Sequence, residues 1–217
     1  MDLEHEKRLA AEAAAAVVQD GMTVGLGTGT TVGYLLPALA SRGLAIRCVA
    51  TSPRTEEVGR ALGLDVHPFG CIDRFDIAID GADQIAPDGW LVKGGGAAHT
   101  REKVVAATAD RFVVIADSSK PVARVHAPVP LELLEYGLGS TLRRLERIGP
   151  VRPRHGAARS PDGGVICDYV GEVDDPAEIS AALRAVPGVV EHGLFEPALV
   201  SSIVIGRGES ADWTTLG

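Results

Sequence analysis

A lysine, three consecutive glycines and a glutamate lie within ten residues of one another, between Lys93 and Glu102. Glycine backbone exposes N–H groups that can stabilise a developing oxyanion, and the lysine adds a positive charge. A glutamate just inside a following helix can face the same position and move a proton. The segment predicts an enzyme that transfers protons, with Glu102 as its base and with Lys93, Gly94, Gly95 and Gly96 as its oxyanion site.

Two aspartates directly follow a predicted strand in the run Asp80-Gly81-Ala82-Asp83. Carboxylates at this spacing can bracket sugar hydroxyls and shuttle their protons. Lys93 near both carboxylates would lower the cost of their charge and polarise a substrate oxygen. The alternative for each aspartate is a turn or helix-capping role, which is common for aspartate after a strand.

The assignment of Glu102 as the base has two alternatives. A helical glutamate is usually exposed to solvent, although the apolar neighbours Val104 and Val105 indicate partial burial here. His99 is a rival base, but its position in an alanine-rich first turn favours packing or solvation. The remaining histidines form no triad and no metal-ligand spacing.

The run Gly27-Thr28-Gly29-Thr30-Thr31 is a further candidate for ligand binding. Its glycines let a helix N-terminus approach a phosphate closely, and its threonine hydroxyls supply further donors. The run lacks the lysine of a Walker motif and the third glycine of a dinucleotide fingerprint. An ordinary tight turn is therefore the alternative.

Short apolar segments alternate with helical segments between residues 23 and 116. Strands separated by helices need crossover connections, so the pattern predicts an α/β fold, with a Rossmann-like, mostly parallel sheet and helices on both faces. Ligands bind such sheets beyond the carboxyl ends of the strands, where polar residues such as Thr51-Ser52 and Asp117-Ser118-Ser119-Lys120 are expected to meet. The predicted strands are Thr23–Leu26, Ala45–Ala50, Phe75–Ile79 and Phe112–Ala116.

The alternation stops near His126, where Ala127-Pro128-Val129-Pro130 interrupts it. We predict a large catalytic domain of residues 1–125 and a smaller α+β (ferredoxin-like) domain of residues 126–198. Residues 199–217 are predicted to return to the large domain. The other predicted elements are a first helix at Ala10–Val18, helices at Leu138–Ile148 and Pro176–Val186, and strands at Val165–Tyr169 and Leu199–Ile205.

Composition narrows the class of protein. With 29 acidic and 21 basic residues among 217, the formal charge of −8 disfavours a nucleic-acid or anionic-membrane surface. The acidic N-terminus carries no secretory leader, which predicts a cytoplasmic protein. Cys48, Cys71 and Cys167 are widely spaced and unpaired by motif, so we predict that they are reduced and buried and that no structural metal is bound.

Together these motifs resemble the ribose-5-phosphate isomerase type A family in residue type, order and spacing. The resemblance covers nearly the whole chain, because a later segment, Pro187–Phe195, also looks like a family signature. The motifs that carry it are Gly27–Thr31, Asp80–Asp83, Lys93–Gly96, Arg101-Glu102-Lys103 and Asp117–Lys120.

The resemblance implies interconversion of ribose 5-phosphate and ribulose 5-phosphate through a cis-enediolate, in the non-oxidative pentose phosphate pathway. It implies no cofactor or metal, and a homodimer or larger homo-oligomer. Glu102 would move the proton between C2 and C1, while Asp80 and Asp83 would handle hydroxyl protons and ring opening. The implied substrate-binding residues are Lys7, Thr28, Gly29, Thr30, Thr31, Asp80, Gly81, Ala82, Asp83, Lys93, Gly94, Gly95, Gly96 and Lys120, with Thr28–Thr31, Lys7 and Lys120 around the phosphate.

The sequence departs from the family pattern at a few positions. Gln84 stands where the family usually has glutamate, His99 replaces an apolar residue, and Val125-His126 replaces a common Leu-Gly. None of these removes a proposed catalytic group. A non-catalytic sugar-phosphate sensor is the alternative function, although a sensor would not need Glu102 or the paired aspartates. A nicotinamide dehydrogenase is disfavoured because the glycine fingerprint is missing.

Overall fold

The computed structural model describes residues 2–154, 156 and 158–216. Two short 3-10 helices, Phe69–Cys71 and Pro197–Leu199, accompany the main elements. The α-helices are α1 (Leu3–Ala16), α2 (Thr30–Ser41), α3 (Pro53–Ala61), α4 (His99–Thr108), α5 (Leu138–Leu145) and α6 (Pro176–Arg184). The strands are β1 (Thr23–Leu26), β2 (Arg47–Ala50), β3 (Asp65–Val66), β4 (Ile77–Gly81), β5 (Gln84–Ile85), β6 (Leu91–Val92), β7 (Phe112–Asp117), β8 (Val129–Leu133), β9 (Val151–Pro153), β10 (Val165–Tyr169), β11 (Val189–His192), β12 (Leu194–Phe195), β13 (Ser202–Arg207) and β14 (Ser210–Thr215).

The chain divides into two compact units. The first consists of Met1–Ala82, Arg101–Lys120 and Ala198–Gly217, and the second of Asp83–Thr100 and Pro121–Pro197. Residues 83–100 group with the second unit because β5 and β6 form a three-stranded sheet with β12. This grouping differs from the predicted bounds of 1–125 and 126–198, and the division into two domains stays a prediction.

The first unit is built on a sheet with the order β14-β13-β7-β4-β1-β2-β3. Every neighbouring pair is parallel except β13 and β14, which form an antiparallel hairpin. The predicted fold class, an α/β protein with a mostly parallel sheet, is therefore confirmed. Near the C-terminus, β13 pairs in parallel with β7. The assignment of residues 199–217 to the large domain stays a prediction.

Helices cover both faces of this sheet because alternate strand residues point in opposite directions. Val24 and Leu26 belong to a buried apolar cluster with the alanines of α1 and the leucines of α2. On the other face Gly25 meets α4 so closely that a Cβ at residue 25 would overlap Cγ1 of Val105. Gly25 thus sets how closely α4 approaches β1.

Several element boundaries differ from the prediction. Helix α1 begins at Leu3 rather than Ala10 because the Asp2 side chain accepts hydrogen bonds from the backbone N–H groups of Glu4 and His5. The strand predicted to begin at Phe75 begins at Ile77, and Phe75 makes only an isolated bridge to Ala109.

The second unit contains a four-stranded antiparallel sheet with the order β11-β8-β10-β9. With α5 and α6 between its strands, the chain follows the β-α-β-β-α-β order of a ferredoxin-like fold. Leu145 of α5 and Leu183 of α6 are buried in one apolar cluster with Leu131 of β8. The predicted strand at Val165–Tyr169 is found with the same bounds.

The cysteine prediction is wrong at one position. Cys48 and Cys167 are buried, and burial raises the pKa of the Cys48 thiol to about 12. Cys71 is exposed because it ends the surface 3-10 helix that precedes β4. None of the helices that the structure describes is long and apolar enough to cross a membrane.

Candidate active site

Asp80 holds the turn that follows β1. Its Oδ1 accepts hydrogen bonds from the backbone N–H groups of Thr28, at 2.9 Å, and Gly81, at 2.7 Å. The side chain is buried at the carboxyl end of β4, which is paired in parallel with β1. The carboxylate therefore has the turn-holding role that was its alternative, and it lies at the sheet edge where ligands of parallel sheets bind.

The turn after β1 leads into the N-terminus of α2. Gly29 occupies the N-cap position with φ of 129°, and no side chain of the described residues caps the helix there. The first backbone N–H groups of a helix without such a cap point outward and can bind an anion. Thr30 is exposed and Thr31 is buried in this first turn. The role of the turn in phosphate binding stays a prediction.

Hydroxyl groups from the end of β2 fix this turn from the other side. The hydroxyl oxygens of Thr28 and Thr51 are 2.8 Å apart, and the Thr55 hydroxyl donates to the carbonyl oxygen of Gly27 at 2.9 Å. Ser52 caps α3 by accepting from the N–H of Thr55. The expectation that Thr51-Ser52 reaches the same sheet edge is met. Thr51 contacts the turn directly, and Ser52 bonds Thr55, which contacts it.

Glu102 is buried, with 4% of its surface exposed, in the first turn of α4. The alternative of a solvent-exposed helical glutamate is therefore wrong. The C-terminal end of α4 lies beside the start of β4, where the N–H of Phe75 donates to the carbonyl of Thr108 at 3.4 Å. Because Val105 packs on Gly25 in β1, the helix runs along the sheet and its first turn lies toward the carboxyl ends of β1 and β4. Glu102 and Asp80 thus lie toward the same edge.

A glutamate that the sequence reasoning missed connects two more segments of this edge. Glu6 is 1% exposed. Its Oε2 accepts from the N–H of Ser118 at 3.0 Å and its Oε1 from the N–H of Gly208 at 3.1 Å. The Ser118 side chain and these N–H groups lower the pKa of the Glu6 carboxyl. Glu6 lies four residues before the buried Ala10 on one helix face, a spacing that could have indicated its burial.

Both lysines predicted to bind phosphate lie on segments that Glu6 joins. Lys7 follows it in α1, and Lys120 ends the turn after β7, where its N–H donates to the carbonyl of Asp117. Lys7 Nζ lies 2.6 Å from Oε1 of Glu4, whose Oε2 accepts from the hydroxyl of Tyr34 at 2.8 Å. These two donors lower the pKa of the Glu4 carboxyl. A phosphate would therefore compete with Glu4 for Lys7.

In the second unit Lys93 is held by two residues of the segment Pro187–Phe195, namely Gly193 and Phe195. Its N–H donates to the carbonyl of Gly193 at 2.9 Å, and its Nζ lies 5.4 Å from the ring centroid of Phe195. A Cβ at residue 193 would overlap the carbonyl of Lys93, so glycine is required there. The side chain is only 2% exposed, and a buried ammonium is an effective partner for an anionic oxygen.

The glycine run after Lys93 forms a tight loop. Gly94 has φ of 104°, and the N–H of Ala97 donates to the Gly94 carbonyl at 3.0 Å. The N–H of Gly95 donates to Oδ2 of Asp83 at 2.8 Å. Of the three amides predicted to stabilise the oxyanion, that of Gly95 is thus bonded to Asp83, which holds the loop as Asp80 holds its turn.

The departures from the family pattern have structural roles. His99 is fully buried beneath the loop, and a Cβ at Gly94 would lie 2.6 Å from its Nδ1. Of the two predicted roles, packing and solvation, the structure shows packing. The Gln84 amide accepts from the N–H of His126 at 2.8 Å and donates to the His126 carbonyl at 2.9 Å. An ionised glutamate could only accept, so Gln84 makes one more bond than the usual residue would make.

The described residues contain no group of three or more His, Cys, Asp or Glu side chains placed to hold a metal ion. The predicted site residues of the first unit lie in α1, after β1, in the first turn of α2, at the ends of β4 and β7, and in the first turn of α4. They are Lys7, Thr28, Gly29, Thr30, Thr31, Asp80, Gly81, Ala82, Glu102 and Lys120. In the second unit, the predicted site residues form the glycine loop, Lys93 before it and Asp83, which accepts from it. The loop residues are Gly94, Gly95 and Gly96.

The chain is similar along nearly its whole length to known isomerases. It is 40% identical over 219 residues to ribose-5-phosphate isomerase A of Gloeobacter violaceus, covering 96% of this chain and 95% of that protein. It is 46% identical over 200 residues to ribose-5-phosphate isomerase A of Halobacterium salinarum, covering 88% and 87%.

Solved structures agree with the sequence relatives. Ribose 5-phosphate isomerase A of Neisseria gonorrhoeae has a TM-score of 0.91 at 32% identity, covering 96% of this chain and 95% of that one. A D-ribose-5-phosphate isomerase in complex with phospho-erythronic acid has a TM-score of 0.93 at 29% identity over both whole chains. The model of the family ribose 5-phosphate isomerase A (phosphoriboisomerase A) matches residues 47–210. The chain therefore belongs to the ribose 5-phosphate isomerase A family.

Proposed function

We propose that this protein interconverts D-ribose 5-phosphate and D-ribulose 5-phosphate through a cis-enediolate. The observation that carries the proposal is the buried carboxylate of Glu102, which lies toward the same sheet edge as Asp80 and the uncapped N-terminus of α2. A base, a second carboxylate and an anion site at one edge suit a phosphorylated sugar. Membership of the isomerase family supports the same substrate.

In this mechanism Glu102 removes the proton from C2 of the open-chain aldose. The electron pair of the broken C2–H bond forms the C1–C2 double bond, and the C1 carbonyl oxygen becomes negative. The O2 hydroxyl then gives up its proton, O1 gains one, and protonated Glu102 returns its proton to C1. The product is the ketose with its carbonyl at C2, and the base is regenerated.

The negative oxygen is assigned to Lys93 and to the amides of Gly94 and Gly96, because the Gly95 amide donates to Asp83. A buried ammonium and oriented N–H groups stabilise charge that develops in the transition state more than they stabilise the neutral sugar. Asp80 and Asp83 are assigned to ring opening and to the hydroxyl protons, in addition to the backbone bonds that they accept.

The phosphate is assigned to the N-terminus of α2, with Lys7 and Lys120 as its cations. A sugar phosphate carries roughly −1.5 to −2 charges at neutral pH. A protein with a formal charge of −8 therefore needs local positive groups to bind it. We further propose a cytoplasmic homodimer or larger homo-oligomer that needs no cofactor or metal. Light scattering on the purified protein would measure the oligomer.

The test is isomerisation of ribose 5-phosphate in heavy water with a chelator present, followed by NMR. Formation of ribulose 5-phosphate with deuterium entering the carbon next to the carbonyl is expected, because the proton on Glu102 exchanges with solvent. Ligand binding without ketose formation would instead support a sugar-phosphate sensor. Loss of turnover in chelator alone, restored by a divalent cation, would contradict the metal-free route.

A further inference from the structure

Arg154, which follows β9, makes a two-point ion pair inside the second unit. Its Nε donates to Oδ2 of Asp168 at 3.0 Å and its Nη2 to Oδ1 of the same carboxylate. Both side chains are mostly covered, with 24% of Arg154 and 18% of Asp168 exposed. The carboxylate therefore fixes the plane of the guanidinium.

The remaining guanidinium nitrogen reaches the glycine loop. Nη1 of Arg154 lies 3.1 Å from the carbonyl oxygen of Gly94 and 3.2 Å from that of Gly95. One side chain thus binds Asp168 and two consecutive carbonyl groups at once. A planar fork can hold this set of partners, whereas the single ammonium of a lysine cannot reproduce it.

These two carbonyls determine where the loop amides point. The Gly94 carbonyl belongs to the same peptide group as the Gly95 N–H, and the Gly95 carbonyl to the same group as the Gly96 N–H. In a trans peptide the carbonyl and the N–H point in opposite directions. Both N–H groups therefore point away from Arg154, and that of Gly95 meets Asp83.

We propose that Arg154 is a positioning residue that orients and polarises the two peptide groups of the glycine loop. A cation on a carbonyl oxygen draws electron density toward it, so the N–H at the other end of the peptide becomes a stronger donor. The Gly95 amide holds Asp83, and the Gly96 amide is the one that can meet the substrate. The inference rests on the proposed function, because that amide is useful only where an anionic oxygen forms.

The charge on Arg154 is stable. The hydrogen bond to Asp168 raises the pKa of its guanidinium, against the opposing effect of burial, and the charge of Asp83 adds to the rise. Arg154 therefore stays cationic throughout the pH range of an assay, and its effect on the loop does not depend on its own titration.

The test compares Arg154→Met and Arg154→Lys with Arg159→Met. Arg159 is a matched control, because it is also ion-paired, to Glu135, and also donates to a backbone carbonyl, that of Gly163. We expect kcat of Arg154→Met to fall about 10- to 100-fold with KM for ribose 5-phosphate within about threefold. Arg154→Lys keeps the charge and is expected to recover part of the loss, and Arg159→Met should match the wild type.

Inhibition by phospho-erythronic acid gives a second readout. Its carboxylate resembles the charged enediolate, so its inhibition constant should rise in Arg154→Met in parallel with the fall in kcat/KM. A well-folded Arg154→Met protein with wild-type kcat, or one whose KM alone rises, would overturn the proposal. If Arg154→Met does not fold, Arg154→Lys decides. A wild-type kcat and a wild-type inhibition constant in Arg154→Lys would equally overturn the proposal. A wild-type protein that binds phospho-erythronic acid but produces no ketose would contradict the proposed function instead.

Discussion

Asp80 lies directly against the backbone of Gly27, so closely that a Cβ at residue 27 would overlap the Asp80 carboxyl group. The two residues are neighbours because the N–H of Gly27 continues the pairing of β1 with β4, donating to the Ile79 carbonyl at 3.0 Å. The absence of a side chain at residue 27 is what lets the carboxylate reach the N–H of Thr28.

Gly27→Ala is therefore expected to displace the Asp80 carboxylate and to lower kcat/KM by about 100-fold or more, since a misplacement of about 1 Å can cost that much. Steady-state isomerisation with ribose 5-phosphate measures it. Gly33→Ala is the control, because a Cβ there has open space around it. Equal activity of both variants would show that the Asp80 position is not important.

Glu102→Gln is expected to lower kcat by about 10² to 10⁴ while phosphate affinity and the fold are kept. The amide has nearly the shape of the carboxylate but cannot accept the C2 proton. Deuterium uptake from heavy water should fall with kcat. Glu57→Gln on α3 is the control, because Glu57 is exposed, and it should have wild-type turnover. Near wild-type turnover of Glu102→Gln would reject it as the base.

Lys120→Ala and Thr31→Ala are expected to raise KM for ribose 5-phosphate about tenfold with kcat within about threefold, because they remove proposed phosphate donors and leave the proposed base in place. Substrate titrations measure both constants. Arg60→Ala is the control, because it removes a cation on α3 that pairs with Glu56 and is not part of the proposed phosphate site. An unchanged KM in both site variants would place the phosphate elsewhere.

The elements that carry the site were predictable where the pattern was local. Thr23–Leu26 and Val165–Tyr169 were found with the predicted bounds, since each is a short apolar run between polar turns. The start of α1 was missed although Asp2 before an acidic first turn is a helix N-terminus signal.

Residues that act over long sequence distances were not predictable. The burial of Glu102 depends on Gly25 admitting Val105, and the contact of Arg154 with Gly94 joins segments far apart in the chain. The apolar neighbours of Glu102 predicted partial burial, whereas its nearly complete burial, with 4% of its surface exposed, follows from the packing of α4 on β1. Gln84 departs from the family pattern, and its role became clear only when His126 was found beside it.

Glu6→Gln tests how far one buried carboxylate stabilises the folded protein where it joins Ser118 to Gly208. The Ser118 hydroxyl and the N–H groups of Gly208 and Ser118 lower the pKa of Glu6 below its ordinary value of 4.5. The folded protein therefore binds this proton less tightly than the unfolded chain does. The stabilisation is fully present above about pH 4.5 and is lost as pH falls through the lower folded pKa.

The amide introduced by Glu6→Gln would oppose one of these donors with its own N–H groups. We expect a lower melting temperature for the variant at about pH 7, with a gap to the wild type that narrows below about pH 4.5. Thermal unfolding across this pH range measures the difference in melting temperature, with Glu57→Gln as the control. A difference that stays constant with pH would mean that the Glu6 charge contributes nothing to stability.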